Sequence, residues 1–128
     1  TYNGNAITTV AVAVAMELFP DSEVQRTNAL GGQLRAGLAE AMEERMIPGV
    51  VTGYGSFAGV HFGVEQVSNY RDVARSDLSL KKLVHLALLL GGVFAAPRLM
   101  FCTSTPMTEE TVADVTRRFG QALDMVRS

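Results

Sequence analysis

From Ala6 to Phe19 almost every residue is small or apolar, and no polar stripe recurs at helical spacing. A helix of this kind has no face to offer water, so it is stable only where protein surrounds it on most sides. A chain of 128 residues hardly provides that much cover. The segment therefore calls for a larger parent or for an oligomer. The turn-forming run Thr1-Tyr2-Asn3-Gly4-Asn5 precedes it; Asn and Gly tolerate left-handed backbone, and Asn can cap the helix that follows. Pro20 ends it.

Beyond Pro20, Asp21-Ser22 offers a cap for a second helix over residues 23–46, in which Leu30, Leu34, Leu38, Met42 and Met46 recur every four residues as a buried face. Pro48-Gly49 breaks it. Val50 to Tyr54 and Phe57 to Gly63 then read as a β-hairpin joined at Gly55-Ser56, and Val64 to Leu78 reads as a loop with one helical turn at most. Leu80, Leu83, Val84, Ala87 and Leu90 give another helical face, stopped by Gly91-Gly92. Two extended pieces follow, Val93 to Ala96 and Leu99 to Thr103. Thr108 caps a last helix whose buried side is Val112, Val115, Phe119, Ala122 and Val126. Helices at both ends of a small antiparallel sheet define an α+β fold.

Charge narrows the function. Acidic and basic residues number 13 and 11 without long runs of one sign, which argues against a nucleic-acid partner or a membrane-seeking face. The longest apolar runs, such as Val10 to Met16, fall short of the roughly 20 residues that cross a bilayer, and no basic, apolar leader opens the chain. The single cysteine, Cys102, lies between Phe101 and Thr103 and suits a buried thiol in a reducing compartment. A cytoplasmic protein with a small-molecule partner is the expectation.

Few residues carry chemistry by pattern alone. His85 lies on an apolar helix face, where a hydrogen-bonded structural role is expected. His61 alternates with Val60 and Phe62 in a strand and so points to the solvent side. Neither has a further ligand at zinc spacing. Gly53-x-Gly55 opens no helix and reads as a hairpin glycine pair, not a dinucleotide site. Lys81 and Lys82, the only lysines, read as solvated neighbours at a helix start. Arg98 follows Pro97 between two apolar segments, where a long cation needs a reason to be. It holds either an internal acid or a substrate carboxylate, which guanidinium grips in two-pronged fashion.

Taken in order, Thr1-Tyr2-Asn3-Gly4-Asn5, Gly55-Ser56-Phe57-Ala58-Gly59-Val60-His61-Phe62, Asn69-Tyr70-Arg71-Asp72-Val73, Gly91-Gly92-Val93-Phe94-Ala95-Ala96-Pro97 and Thr108-Glu109-Glu110 resemble the C-terminal portion of class III aminotransferases, in the branch around glutamate-1-semialdehyde aminomutase. The resemblance covers essentially the whole chain. It implies a fold-type-I enzyme dependent on pyridoxal 5'-phosphate (PLP), homodimeric, acting on amino acids and oxo acids. Residues 1–20 would form a buried connecting helix from a large domain, and residues 21–128 a small domain with helices outside its sheet. Thr1 would bind the PLP phosphate of the neighbouring subunit, a role suited to a hydroxyl and free amides before a helix start.

The same resemblance places the Schiff-base lysine and the aspartate that pairs with the pyridine nitrogen ahead of residue 1, so the isolated chain is expected to be inactive. It also marks a departure. The aminomutase pattern is about two residues longer after Ala-Pro and carries a glutamate near the cofactor; here Pro97-Arg98-Leu99-Met100-Phe101 is compressed and bears arginine. That favours an aminotransferase over an aminomutase and Arg98 as a substrate contact.

Overall fold

The structure, a computed structural model, describes residues 4–127. Its elements run α1 (Ala6–Glu17), α2 (Asp21–Glu43), β1 (Gly49–Thr52), β2 (Phe57–Phe62), α3 (Tyr70–Ala74), α4 (Leu78–Leu90), β3 (Met100–Cys102) and α5 (Glu109–Arg127). The strands form an antiparallel sheet in the order β1-β2-β3. This is the α+β arrangement expected.

Alternation along β2 divides the molecule into two sides. Ala58, Val60 and Phe62 point inward and are buried; α2 and α4 pack over this side, and α5 packs against those two helices. Leu38 of α2, Val84 and Leu88 of α4, and Phe119 and Leu123 of α5 meet them without solvent exposure. Burying a side chain of this size stabilises by about 1.5–3 kcal/mol, so these layers carry the fold.

Asn5 caps α1 as expected, accepting from the amides of Ile7 and Thr8. The expectation that α1 is buried is not met within this chain. None of its residues is buried, and Ile7 and Met16 are 82% and 73% exposed; the remaining described residues do not supply its cover.

α2 presents Leu30, Leu34, Leu38 and Met42 to the core. It begins at Asp21 with Pro20 as an N-cap without a side-chain bond, so Asp21 sits in the first turn and not at the cap. Met46 leaves the expected stripe because the helix closes before it. The amide of Ile47 reaches Met42 O (3.0 Å), that of Met46 reaches Glu43 O (2.9 Å), and Met46 turns left-handed at φ 52°. This double bond pattern ends a helix with its left-handed residue outside, and Met46 is accordingly exposed.

Three further expectations are corrected. Leu83 and Leu90 of α4 are exposed, while Lys81 joins Val84, Ala87 and Leu88 on the buried side. Val93 to Ala96 forms no strand; only Ala96 bridges to Met100, because the chain turns back through Pro97, Arg98 and Leu99. Cys102 is exposed, since β3 is short and its alternation sends Phe101 inward and Cys102 out.

α2 lies so close to the β1–β2 turn that a Cβ on Gly31 would sit 2.2 Å from Gly55 O. One turn on, Arg35 Nη1 donates to Gly55 O and Phe57 O at 2.6 and 2.8 Å. Gly31→Ala is expected to cost about 1–3 kcal/mol by overpacking. Gly32→Ala, whose nearest neighbour is the Arg35 guanidinium at 3.8 Å, should be neutral or stabilise by up to about 1 kcal/mol through helix propensity. Urea denaturation of the two variants checks both signs.

Candidate functional site

The side of the sheet opposite the core is open. Phe57, Gly59 and His61 of β2 face it, together with Met100 of β3. α3 and the start of α4 wall it on one flank. α3 is short but firmly started: Asn69 accepts from the Arg71 and Asp72 amides, while the Asp72 carboxylate takes the Asn69 amide. The result is a cleft of about 590 Å³ whose lining includes Thr52, His61, Tyr70, Lys81 and Arg98.

Arg98 reaches it from the tip of a three-residue hairpin. The Leu99 amide closes the turn onto Ala96 O at 2.8 Å, and Leu99 takes a positive φ of 52°, as the third residue of such loops does. Glycine is usual there; Leu99 instead is fully buried and ties the loop to the core. Arg98 itself is exposed. Among the described residues the ion pairs do not include it, so the internal acid that sequence left open is not found.

Lys81 was expected in solvent and is 5% exposed. Its place three and seven residues before Val84 and Leu88 puts it on the inward stripe of α4. Its Nζ lies 3.4 Å from His61 Nδ1, and His61 Nε2 lies 3.1 Å from Thr52 Oγ1. Burial holds the Lys81 amine below the ordinary lysine range. Burial first, and the Lys81 charge second, hold His61 below its usual value. The sequence placed His61 on the correct side of the strand but did not show its contacts with Lys81 and Thr52. The stripe spacing of Lys81 was the available signal.

His85 Nε2 meets Ala95 O at 3.1 Å, the structural role expected. Thr1 lies outside the described residues. Among those described, no cluster of His, Cys, Asp and Glu could hold a metal ion, and no helix is long and apolar enough to cross a membrane.

No family model matches the chain. Individual proteins do. A transaminase solved with PLP bound shares 27% identity, with a TM-score of 0.73 over 86% of this chain and 25% of its own. An ω-transaminase from Sphaerobacter thermophilus superposes with a TM-score of 0.86 at 35% identity, covering 100% of this chain and 30% of that one. The architecture is thus that of a small α+β domain of transaminases. In sequence, a glutamate-1-semialdehyde 2,1-aminomutase of Methanopyrus kandleri is 31% identical over 127 residues, 97% of this chain and 30% of that protein. The chain corresponds to the C-terminal part of the aminotransferase and aminomutase family, and it spans about 30% of the length of these relatives.

The His61 shift fixes a pH dependence. A histidine whose folded pKa lies below its unfolded value of 6.5 binds fewer protons when folded. Its contribution is therefore intact above pH 6.5 and is lost as pH falls from there through the folded pKa. NMR titration should place His61 below an unperturbed histidine, and His61→Gln should flatten the stability profile in that window.

Proposed function

We propose that this chain is the C-terminal segment of a class III, fold-type-I, PLP-dependent aminotransferase that moves an amino group between an amino acid and an oxo acid. The observation that carries this reading is the match of the whole chain to the C-terminal part of transaminases, in fold and in sequence together. Exposure of α1 on every side supports residues 1–20 as a connector packed against a large domain, with residues 21–128 as the small domain. The parent is read as a cytoplasmic homodimer.

The described residues do not build a PLP site by themselves. At the start of α1, Asn5 already occupies the amides of Ile7 and Thr8, which a phosphate would otherwise use. Phosphate binding across the subunit interface is assigned to Thr1 on the family resemblance alone, since Thr1 lies outside the described residues. The Schiff-base lysine and ring-nitrogen aspartate are assigned to sequence outside this chain, which alone should not transaminate. When bound, PLP supplies the electron sink for amino transfer.

Arg98 is assigned to the substrate carboxylate. Its support is a guanidinium at a loop tip, pinned by buried Leu99, facing a cleft and joined to no acid among the described residues. The shortened, arginine-bearing loop also favours an aminotransferase over an aminomutase. A non-catalytic interaction domain of the same fold is the remaining alternative; a full-length protein inert toward every amino donor would support it.

In the full-length enzyme, Arg98→Lys should raise KM for carboxylate substrates far more than for plain amines, because the fork is lost and the charge kept. Equal effects on both return Arg98 to a structural role. Thr1→Ala should weaken PLP retention by about 1.5–3 kcal/mol, the worth of one charge-assisted hydrogen bond, as measured by equilibrium dialysis. Unchanged retention would remove Thr1 from the cofactor site.

A further inference from the structure

Lys81 has no part in the reading above, yet its surroundings are unusual for a lysine. Among the described residues no Asp or Glu lines the cleft it borders, and the one other Lys or Arg side chain that does, Arg98, carries charge of the same sign. Asp77, the N-cap of α4, accepts the Ser79 and Leu80 amides through Oδ1 at 3.0 and 2.9 Å, and among the described residues it forms no ion pair with Lys81. What stands within reach is His61, whose Nδ1 lies 3.4 Å from Nζ. One tautomer satisfies both of its contacts: Nε2–H donates to Thr52 Oγ1, and Nδ1 is left as an acceptor facing the amine. A lysine taken out of water, with an imidazole nitrogen and no acid as its partner, is a setting in which an amine becomes a nucleophile.

We propose that Lys81 is a carbonyl-reactive amine, which condenses on the wall of this cleft with a small aldehyde or oxo acid. The neutral Nζ attacks the carbonyl carbon, and a C–N bond forms as the carbonyl π pair moves onto oxygen. His61 Nδ1 passes the two N–H protons in turn to that oxygen, which leaves as water, and the nitrogen lone pair closes the C=N bond. No oxidant or reductant enters. A cleft of about 590 Å³ accommodates a compound of a few carbons. Preference for an oxo acid over a plain aldehyde rests on the Arg98 reading; the reactivity of Lys81 does not.

Lys82 provides an internal control, since it is adjacent in sequence but exposed. The full-length protein is treated with glyoxylate and cyanoborohydride at about pH 7, where an ordinary lysine is almost entirely protonated. Cyanoborohydride fixes any imine as a stable secondary amine, and mass-spectrometric fragment ions distinguish the two positions. Lys81 should be labelled roughly fivefold or more over Lys82. His61→Gln should bring Lys81 down to the level of Lys82 without loss of the folded circular-dichroism signal. Acetaldehyde in place of glyoxylate should preserve the preference for Lys81. Arg98→Gln should slow labelling by glyoxylate and not by acetaldehyde, and failure of that arm alone removes the oxo-acid preference while Lys81 stands. Equal or weaker labelling of Lys81 with both reagents overturns the proposal and makes Lys81 a fixed cation. Labelling undisturbed by His61→Gln overturns the proton-transfer role.

Discussion

Everything in this fold depends on β2 being wet on one side and dry on the other. The central strand of a three-stranded sheet alternates its side chains with period two, and here the helices cover a single face. Ala58, Val60 and Phe62 take the core; Phe57, Gly59 and His61 are left over. The cleft is that remainder. Had a helix layer covered both faces, as in a doubly wound sheet, there would be neither a recess for Arg98 nor a half-buried place for His61.

Much of this was legible in the sequence, and the boundary is physical. Long periodic segments declared themselves: Leu30, Leu34 and Leu38 fixed the inner face of α2, and Val112, Phe119 and Ala122 that of α5, because many repeats average out the exceptions. Short segments did not. Val93 to Ala96 has strand-like residues, but its partner in sequence returns through a three-residue turn that leaves room for a single bridge. Met46 fits the four-residue repeat by identity, and only the backbone bonds that close α2 remove it from the core.

Lys81 shows why the site was less visible than the fold. A charged residue at a helix start reads as solvated, and composition cannot say otherwise; tertiary packing placed it on the inward stripe beside a histidine from a different element. Thr52 likewise gains meaning only through the β1–β2 register, which sets Val51 opposite Val60 and Val50 opposite His61. Contacts between residues tens of positions apart are not written in local pattern. The α1 helix is the converse case. Its sequence reads as a buried helix, and among the described residues none of it is buried.

The hairpin at Pro97–Leu99 separates two jobs that loops often combine. Leu99 is locked twice, by a left-handed backbone and by complete burial, whereas Arg98 one position earlier is exposed. An anchor next to a free tip lets selection exchange the tip without disturbing the span, as a socket takes different bits on one shank. A substitution at position 98 would therefore change the side chain that this turn presents while the turn itself stays as it is.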